Sequence, residues 1–262
     1  MKPRVLILYG YGINCDNETE QGFKMAGARA EKVHINELIS GEKKLKNYQI
    51  FALPGGFSFG DDISAGKVLA NKFKYNLQEK LNNFINQGKL IIGICNGFQA
   101  MAKLGILPAF NKNHKKEEVT LTFNDSGRFE DRWVYIKINQ KSSCIWTQNI
   151  KNLYLPVRHG EGKFISKDRK IRERLNKQNQ IVAQYVDGQG NPADYPFNPN
   201  GSEDNIAGIC DETGRIFGLM PHPEGFLFAQ NHPRWTREKI QKGEGIKIFK
   251  NAVEFVKRGL SL

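Results

Sequence analysis

A cysteine flanked by glycines is the side chain in this sequence best placed to do chemistry. The motif GICNG occupies residues 93–97, between a short apolar segment and a stretch with helical character. Glycines at these positions allow the tight turn of a nucleophile elbow, which projects its central side chain above a sheet. A helix N-terminus lowers a thiol pKa and favours the thiolate. The motif therefore predicts a nucleophilic Cys95, with a buried structural cysteine as the alternative.

A thiol nucleophile needs a base, and the base needs a group that orients it. His222 lies in the sequence PHPE at residues 221–224. In extended backbone, residues two apart point to the same side, and Pro223 favours such conformations at both positions. His222 and Glu224 are therefore expected side by side, which would complete a Cys–His–Glu triad. The alternative is a turn with an incidental histidine and glutamate. The other histidines are His34, His114, His159 and His232.

A glycine-rich segment, LPGGFSFGD at residues 53–61, follows another apolar run. Backbone N–H groups of such a loop, together with that of Asn96, could bind an oxyanion beside Cys95. An ordinary turn after a strand is the competing interpretation.

The elements that must position these residues follow from the periodicity of the first half. Short apolar runs at 5–9, 32–35, 49–53 and 90–94 predict strands buried on both faces, and helices are expected at 16–26, 77–88 and 96–104. Strands alternating with helices predict a parallel sheet with helices on its faces, where ligands bind at the carboxyl ends of the strands.

The second half is richer in strands. Runs at 133–138, 153–157 and 181–186 alternate with polar loops, and 206–210 with 215–220 predict a hairpin. A final helix would turn Ile246, Phe249, Val253 and Val256 inward. We therefore predict an α/β fold, a mostly parallel sheet flanked by helices with a β-rich second half, in a single domain over residues 1–262.

Composition and charge distribution disfavour or exclude several classes of protein. The 262 residues carry 39 Lys and Arg against 27 Asp and Glu, a formal net charge of +12. The positive charge is spread in small groups mixed with acids, which favours a solvated surface over a nucleic-acid groove. The basic stretch 167–177 is interpreted as a solvated insertion. Disorder and coiled coil are excluded by composition.

No apolar run approaches the roughly 20 residues of a membrane span, so a cytoplasmic protein is expected. The four cysteines, Cys15, Cys95, Cys144 and Cys210, lie tens of residues apart. Their spacing predicts neither a zinc site nor a disulfide framework.

Taken together, the Pro-Gly-Gly loop, the Gly-x-Cys-x-Gly-x-Gln motif and Pro-His-Pro-Glu resemble those of class I (triad) glutamine amidotransferases. The resemblance runs from Val5 to about Arg237. The motifs HGEG at 159–162 and NPNGS at 198–202 are similar to those of members that serve purine biosynthesis.

The resemblance implies roles for individual residues. Cys95 would be the nucleophile, His222 the general base and Glu224 its orienting carboxylate. The implied glutamine-binding residues, including the oxyanion donors at Gly56 or Phe57 and at Asn96, are Gly55, Gly56, Phe57, Asn96 and Gln99.

The resemblance also implies partners. Glutamine would be the substrate, and ammonia would pass to a large synthetase subunit assembled with a small accessory subunit. ATP and magnesium would bind to the synthetase, with no cofactor or metal in this chain and no nucleic-acid or membrane partner. Arg128, Glu130 and Arg132 resemble a segment that faces the synthetase.

Four alternatives remain open: a glutaminase for another acceptor, a free-standing amidase, a peptidase or stress protein, and a nucleic-acid binder. A glutaminase could serve another acceptor, as in anthranilate or GMP synthesis, or the chain could be a free-standing cysteine amidase. Peptidases and stress proteins with a similar elbow usually carry histidine directly after the nucleophile, where this chain has Asn96. A basic nucleic-acid binder is the non-enzymatic alternative.

Overall fold

The computed structural model describes residues 2–259. Strands are β1 (Arg4–Tyr9), β2 (Arg29–His34), β3 (Ile50–Leu53), β4 (Leu90–Ile94), β5 (Val119–Thr122), β6 (Glu130–Ile138), β7 (Asn152–His159), β8 (Lys163–Ser166), β9 (Ile181–Val186), β10 (Ile206–Cys210) and β11 (Ile216–Leu219). Helices are α1 (Asp16–Met25), α2 (Ile35–Ser40), α3 (Lys67–Asn76), α4 (Gln78–Asn86), α5 (Asn96–Leu104), α6 (Arg169–Lys177) and α7 (Ile246–Lys257).

One nine-stranded sheet runs through both halves of the chain, in the order β2-β1-β3-β4-β11-β10-β9-β6-β7. The first five strands in this order, which end with β11, are parallel to one another. Each of the remaining neighbouring pairs, starting with β11 and β10, is antiparallel. β5 and β8 form a separate antiparallel pair. The predicted α/β fold with a β-rich second half is confirmed, whereas the single-domain assignment stays a prediction.

The central strands explain why their sequences are continuously apolar. Every residue of β3, β4 and β11 is buried, because helices or loops cover both faces of the parallel part of the sheet. The predicted hairpin is present as antiparallel β10 and β11. In α7 the predicted inward residues Ile246, Phe249 and Val253 are buried, and Val256 is half-buried.

The stretch 167–177 is largely solvent-exposed, as predicted, but it folds into helix α6 and packs on the domain; that it is an insertion stays a prediction. Asp168 caps α6 by accepting from the N–H of Ile171, and Leu175 is fully buried. The Arg174 guanidinium lies 4.1 Å from the ring centroid of Phe110. Only one buried side chain anchors this helix, so its apolar periodicity is too weak to identify from sequence. Helices α2 and α3 and strands β5 and β8 were likewise not predicted.

Candidate active site

Loops that follow four parallel strands meet at one edge of the sheet. Cys15 comes after β1, Gly55 after β3, Cys95 after β4 and His222 after β11, and these strands are consecutive neighbours in the sheet. Their carboxyl ends therefore lie side by side, where α/β sheets bind ligands. The nucleophile, the predicted base and the glycine loop are thus brought together by topology.

The turn at Cys95 has the geometry of a nucleophile elbow. Its φ of 50° and ψ of −107° are unusual for a residue with a side chain. A Cβ on Gly93 would lie 2.3 Å from Sδ of Met101, and one on Gly97 would lie 1.9 Å from the carbonyl oxygen of Leu53. Both flanking glycines are therefore required by close packing, as the GICNG motif predicts.

The thiol of Cys95 lies at the N-terminus of α5. The backbone N–H of Cys95 donates to the carbonyl of Leu219 at 2.8 Å, and the thiol donates to the carbonyl of Arg158 at 3.7 Å. Asn96 is the first residue of the helix, so its own N–H has no acceptor within the helix. That N–H remains available to a negatively charged oxygen, and the helix dipole favours such a charge there.

His222 and Glu224 form a buried pair. Nδ1 of His222 lies 2.5 Å from Oε1 of Glu224, and both residues are almost entirely buried. The juxtaposition predicted from sequence is present, and His222 has the predicted extended backbone, but the prediction of an extended Pro223 is wrong. Pro223–Gly225 form a 3₁₀ turn closed by the N–H of Gly225 on the carbonyl of His222. The turn, rather than strand alternation, brings the carboxylate to the ring.

Burial alone would favour the neutral form of His222. The carboxylate of Glu224, with Cys95 and Cys15 nearby, outweighs that effect and raises the pKa of His222 well above its usual value. Within residues 2–259, Nε2 of His222 has no hydrogen-bond partner. One ring nitrogen is therefore held by a carboxylate while the other stays free to exchange a proton.

Gly55 lies between His222, Cys95 and Cys15. A Cβ on Gly55 would lie 2.8 Å from Cε1 of His222, and 3.4 Å from both Cβ of Cys95 and Sγ of Cys15. The predicted nucleophile and base therefore pack against the same α-carbon. A larger residue at this position would push the imidazole away from its place.

The glycine loop offers a free donor at Gly56. The N–H of Phe57 donates to the carbonyl of Gly12 at 2.8 Å, and the carbonyl of Gly55 accepts from the N–H groups of Asn14 and Cys15. By contrast, the described part of the chain holds no backbone hydrogen bond from the N–H of Gly56. Of the two alternatives predicted for the oxyanion donor, Gly56 is the one whose N–H is not already engaged.

The side chain of Asn96 connects this loop to the helix. Its Oδ1 accepts from the N–H of Ser58 at 3.1 Å, while Nδ2 donates to Oδ1 of Asp61 at 2.8 Å and to Oε1 of Gln99 at 3.0 Å. Gln99 in turn donates to the carbonyl of Glu161. Both ends of the Gln99 carboxamide thus bind protein, and its contact with glutamine stays a prediction.

His159 lies in a network of neutral groups. Asn124 accepts from Nδ1 at 3.2 Å, and Nδ2 of Asn200 donates to Nε2 at 3.5 Å. Desolvation lowers the pKa of His159 to about 3, and the nearby charge of His222 adds to the effect. The ring is therefore neutral and committed at both nitrogens, which favours His222 as the base.

Sequence reasoning missed Cys15 as a part of the site. Sγ of Cys15 lies 4.0 Å from Nδ1 of His222. Glu161, from the HGEG motif, accepts at Oε2 from the N–H of Ala65 at 3.2 Å. The position of Cys15 just after the first strand was an available signal, because that strand neighbours β3. No motif indicates Asn124, and the NPNGS motif that contains Asn200 does not indicate its contact with His159.

Comparison with known proteins identifies the family. The family model described as a CobB/CobQ-like glutamine amidotransferase domain matches residues 2–256. The chain belongs to this family of glutamine amidotransferases. The class predicted from the motifs around Cys95, Gly55 and His222 is thereby confirmed.

Curated relatives resemble this amidotransferase over its whole length. It is 51% identical to the phosphoribosylformylglycinamidine synthase subunit PurQ of Dehalococcoides mccartyi, over 98% of this chain and 99% of the relative. It is 48% identical to the PurQ subunit of Methanococcus maripaludis, over 97% of each.

A solved structure shows the same fold. The amidotransferase superposes on a chain of the PurLQS structure from Thermotoga maritima with a TM-score of 0.72 and 29% identity, covering 98% of this chain and 100% of that one. Among residues 2–259, no helix is long and apolar enough to cross a membrane.

Proposed function

We propose that this chain is the glutaminase subunit of phosphoribosylformylglycinamidine synthase, releasing ammonia from glutamine for purine biosynthesis in the cytoplasm. The observation that carries the proposal is the packing of Cys95 and the His222–Glu224 pair around Gly55. It is supported by full-length relatives that are named as PurQ subunits of this synthase.

The first chemical step is attack by the Cys95 thiolate on the side-chain carboxamide carbon of glutamine. The oxyanion that forms is held by the N–H groups of Asn96 and Gly56. One such donor is worth about 10²–10³ in rate. His222, held at Nδ1 by Glu224, gives the Nε2 proton to the departing ammonia.

A γ-glutamyl thioester on Cys95 remains after ammonia leaves. His222 then takes a proton from water, the hydroxide attacks the thioester carbon, and glutamate departs as the Cys95 sulfur leaves. Glu224 holds the ring orientation and stabilises its positive charge in both halves of the reaction. The Asn96 side chain keeps the loop at 55–61 in place beside the nucleophile.

Ammonia is used by a partner. The large synthetase subunit, with a small accessory subunit, would activate the acceptor with ATP and magnesium, and this chain supplies only the nitrogen. The PurLQS structure of a 29% identical chain supports this assembly.

The test uses the reconstituted complex. Cys95→Ala is expected to abolish glutamine-dependent synthesis and to leave ammonia-dependent synthesis intact, since the synthetase is unaltered. A diazo-ketone analogue of glutamine should label Cys95, with Cys15, Cys144 and Cys210 as internal controls. Label on one of those three would overturn the assignment of the nucleophile.

The subunit assignment has its own test. The isolated chain is expected to hydrolyse glutamine slowly and to accelerate when synthetase and acceptor are added, because docking would shift the loop at 55–61 into the arrangement that aims its N–H groups at the oxyanion. Full activity of the isolated chain, unchanged by any synthetase, would instead identify a free-standing amidase.

A further inference from the structure

A second thiol lies beside the His222–Glu224 pair. Sγ of Cys15 is 4.0 Å from Nδ1 of His222. One donor atom from each of Cys15, His222 and Glu224 lies within 4.8 Å of the other two. Cys15 is half-buried, whereas the imidazole and the carboxylate are buried. The mechanism above assigns no task to this thiol.

One oxygen of the Glu224 carboxylate is also free to bind a further group. Its side chain is 2% exposed, and Oε2 has no hydrogen-bond partner within residues 2–259. A buried carboxylate oxygen without a partner costs free energy. An electron-pair acceptor placed between Glu224 and Cys15 would satisfy it.

We propose that Cys15, His222 and Glu224 form a binding site for Zn²⁺, and that the bound ion switches the glutaminase off. Thiolate, imidazole and carboxylate are the ligands that zinc takes in proteins. The sulfur disfavours Mg²⁺ and Ca²⁺, which prefer oxygen ligands. Three protein ligands leave a fourth position for water.

The distances suit a tetrahedral ion after small movements. Zinc bonds of about 2.0–2.3 Å place neighbouring ligand atoms roughly 3.3–3.7 Å apart. The separation of 4.0 Å between Cys15 and His222 must close slightly. The 2.5 Å contact between His222 and Glu224 must open, or Glu224 must present Oε2 instead.

Binding exchanges protons for the metal. Starting from imidazolium, the thiol proton of Cys15 and the Nδ1 proton of His222 pass to water as the Zn–S and Zn–N bonds form. No oxidation state changes. The metal-bound ring keeps its Nε2 proton, so it has no lone pair to accept the proton of Cys95. This loss of activity rests on the proposed function, whereas metal binding itself does not.

The sequence prediction of no metal in this chain depended on spacing. Cys15 and His222 are 207 positions apart, far outside any short ligand motif. They meet because β1, β3, β4 and β11 are adjacent in the sheet.

Binding can be measured without any assay of activity. Co²⁺, which accepts the same ligands and shows a thiolate charge-transfer band, is titrated into the purified chain. Cys15 and Cys95, the two cysteines that lie beside Gly55, provide matched variants, Cys15→Ala and Cys95→Ala, with Cys15→Ser as a second, more conservative change. We expect the band in wild type and in Cys95→Ala, and its loss in both Cys15 variants.

Zinc inhibition is then measured on the reconstituted complex, as the ratio of glutamine-dependent to ammonia-dependent synthesis, relative to the metal-free activity of each variant. The half-inhibitory zinc concentration should rise at least about tenfold in the Cys15 variants, since even losing groups that only support ligands weakens metal binding about 10–100-fold.

Two outcomes would overturn the proposal. One is a wild-type chain that gives no charge-transfer band. The other is a band that survives in Cys15→Ala and disappears in Cys95→Ala, because the ion would then sit on the nucleophile, or zinc inhibition of the complex that is unchanged in Cys15→Ala. A chain that binds Co²⁺ through Cys15 but, free of metal and in the reconstituted complex, supports no glutamine-dependent synthesis would uphold the site and refute the proposed function.

Discussion

Two buried histidines flank the candidate active site, one in the turn after β11 and one at the end of β7. His222 contacts the carboxylate of Glu224, whereas His159 contacts the carboxamides of Asn124 and Asn200. Desolvation acts on both rings. Yet the pKa of His222 is raised well above its usual value, and that of His159 is lowered to about 3.

The difference teaches that the partner, rather than burial, decides the charge of a buried imidazole. A carboxylate compensates the loss of water around the cation, while a carboxamide offers a dipole that serves the neutral ring equally well. His222 can therefore carry a proton between Cys95 and ammonia. His159 instead fixes the loop at 159–162, whose Glu161 carbonyl accepts from Gln99.

Replacement of the charged ring should have the largest effect. His222→Ala is expected to lower glutamine-dependent synthesis by about 10³-fold or more, since general acid–base catalysis and the nucleophile act as one unit. Ammonia-dependent synthesis by the same complex is the control.

The matched variant is His159→Gln, which keeps a donor and an acceptor without a titratable ring. It should retain most of the glutamine-dependent rate and an unchanged pH profile. A reversed result, with His159→Gln inactive and His222→Ala near normal, would reassign the base.

Removal of the carboxylate charge should have the next largest effect. Glu224→Gln keeps a hydrogen-bond acceptor for Nδ1 of His222 but loses the charge that stabilises imidazolium. We expect a loss smaller than that of His222→Ala by about 10- to 100-fold. Combined with Cys95→Ala, it should cause no further loss. Equal rates for Glu224→Gln and wild type would show that the charge is not needed.

His159 should affect the pH dependence of the free energy of unfolding rather than the catalytic rate. The unfolded chain binds a proton at His159 below about pH 6.5, while the folded chain binds it only near pH 3. Between these values the unfolded state holds more protons, so His159 makes stability fall with decreasing pH, by about 1.4 kcal/mol per pH unit.

Urea unfolding of wild type and His159→Gln from pH 7 to pH 4 checks this contribution. The variant should be less stable at pH 7, because Asn124 and Asn200 lose their shared partner, but it should lose less stability on acidification. Parallel pH curves for the two proteins would contradict the assignment of His159 as a neutral group.

The sequence predicted the residues around His222 better than those around His159. Continuous apolar runs identify β1, β3 and β4, and motifs adjoin their ends, so the parallel half and the Cys95 elbow could be located. The contacts of His159 could not be located, because Asn124 and Asn200 come from separate loops. Asn124 belongs to no motif, and the NPNGS motif that contains Asn200 does not indicate what its side chain contacts. The turn at 223–225 was also missed, since proline permits both an extended chain and the start of a 3₁₀ turn.

The substitution Asn200→Asp tests most directly whether the hydrogen-bond partner decides the charge of a buried histidine. It adds a carboxylate beside His159 with almost no change in volume. Oδ1 of Asn200 already accepts from the N–H and hydroxyl of Ser202, and an aspartate would keep those bonds. The second oxygen would replace Nδ2, which now donates to His159 and to the hydroxyl of Tyr185. That hydroxyl can rotate to donate, and a protonated His159 can donate from Nε2.

We therefore expect Asn200→Asp to raise the pKa of His159 from about 3 towards that of an ordinary histidine or above, and so to weaken the acid dependence of stability. NMR titration of the ring protons of His159 measures the shift, with Asn200→Ser as a control that removes the carboxamide without adding charge. Glutamine-dependent synthesis at neutral pH should change little, because this ring carries no proton in the reaction. If His159 in Asn200→Asp titrated at the same pH as in wild type, burial rather than the hydrogen-bond partner would decide the charge of the ring. The difference between the pKa values of His159 and His222 would then need another cause.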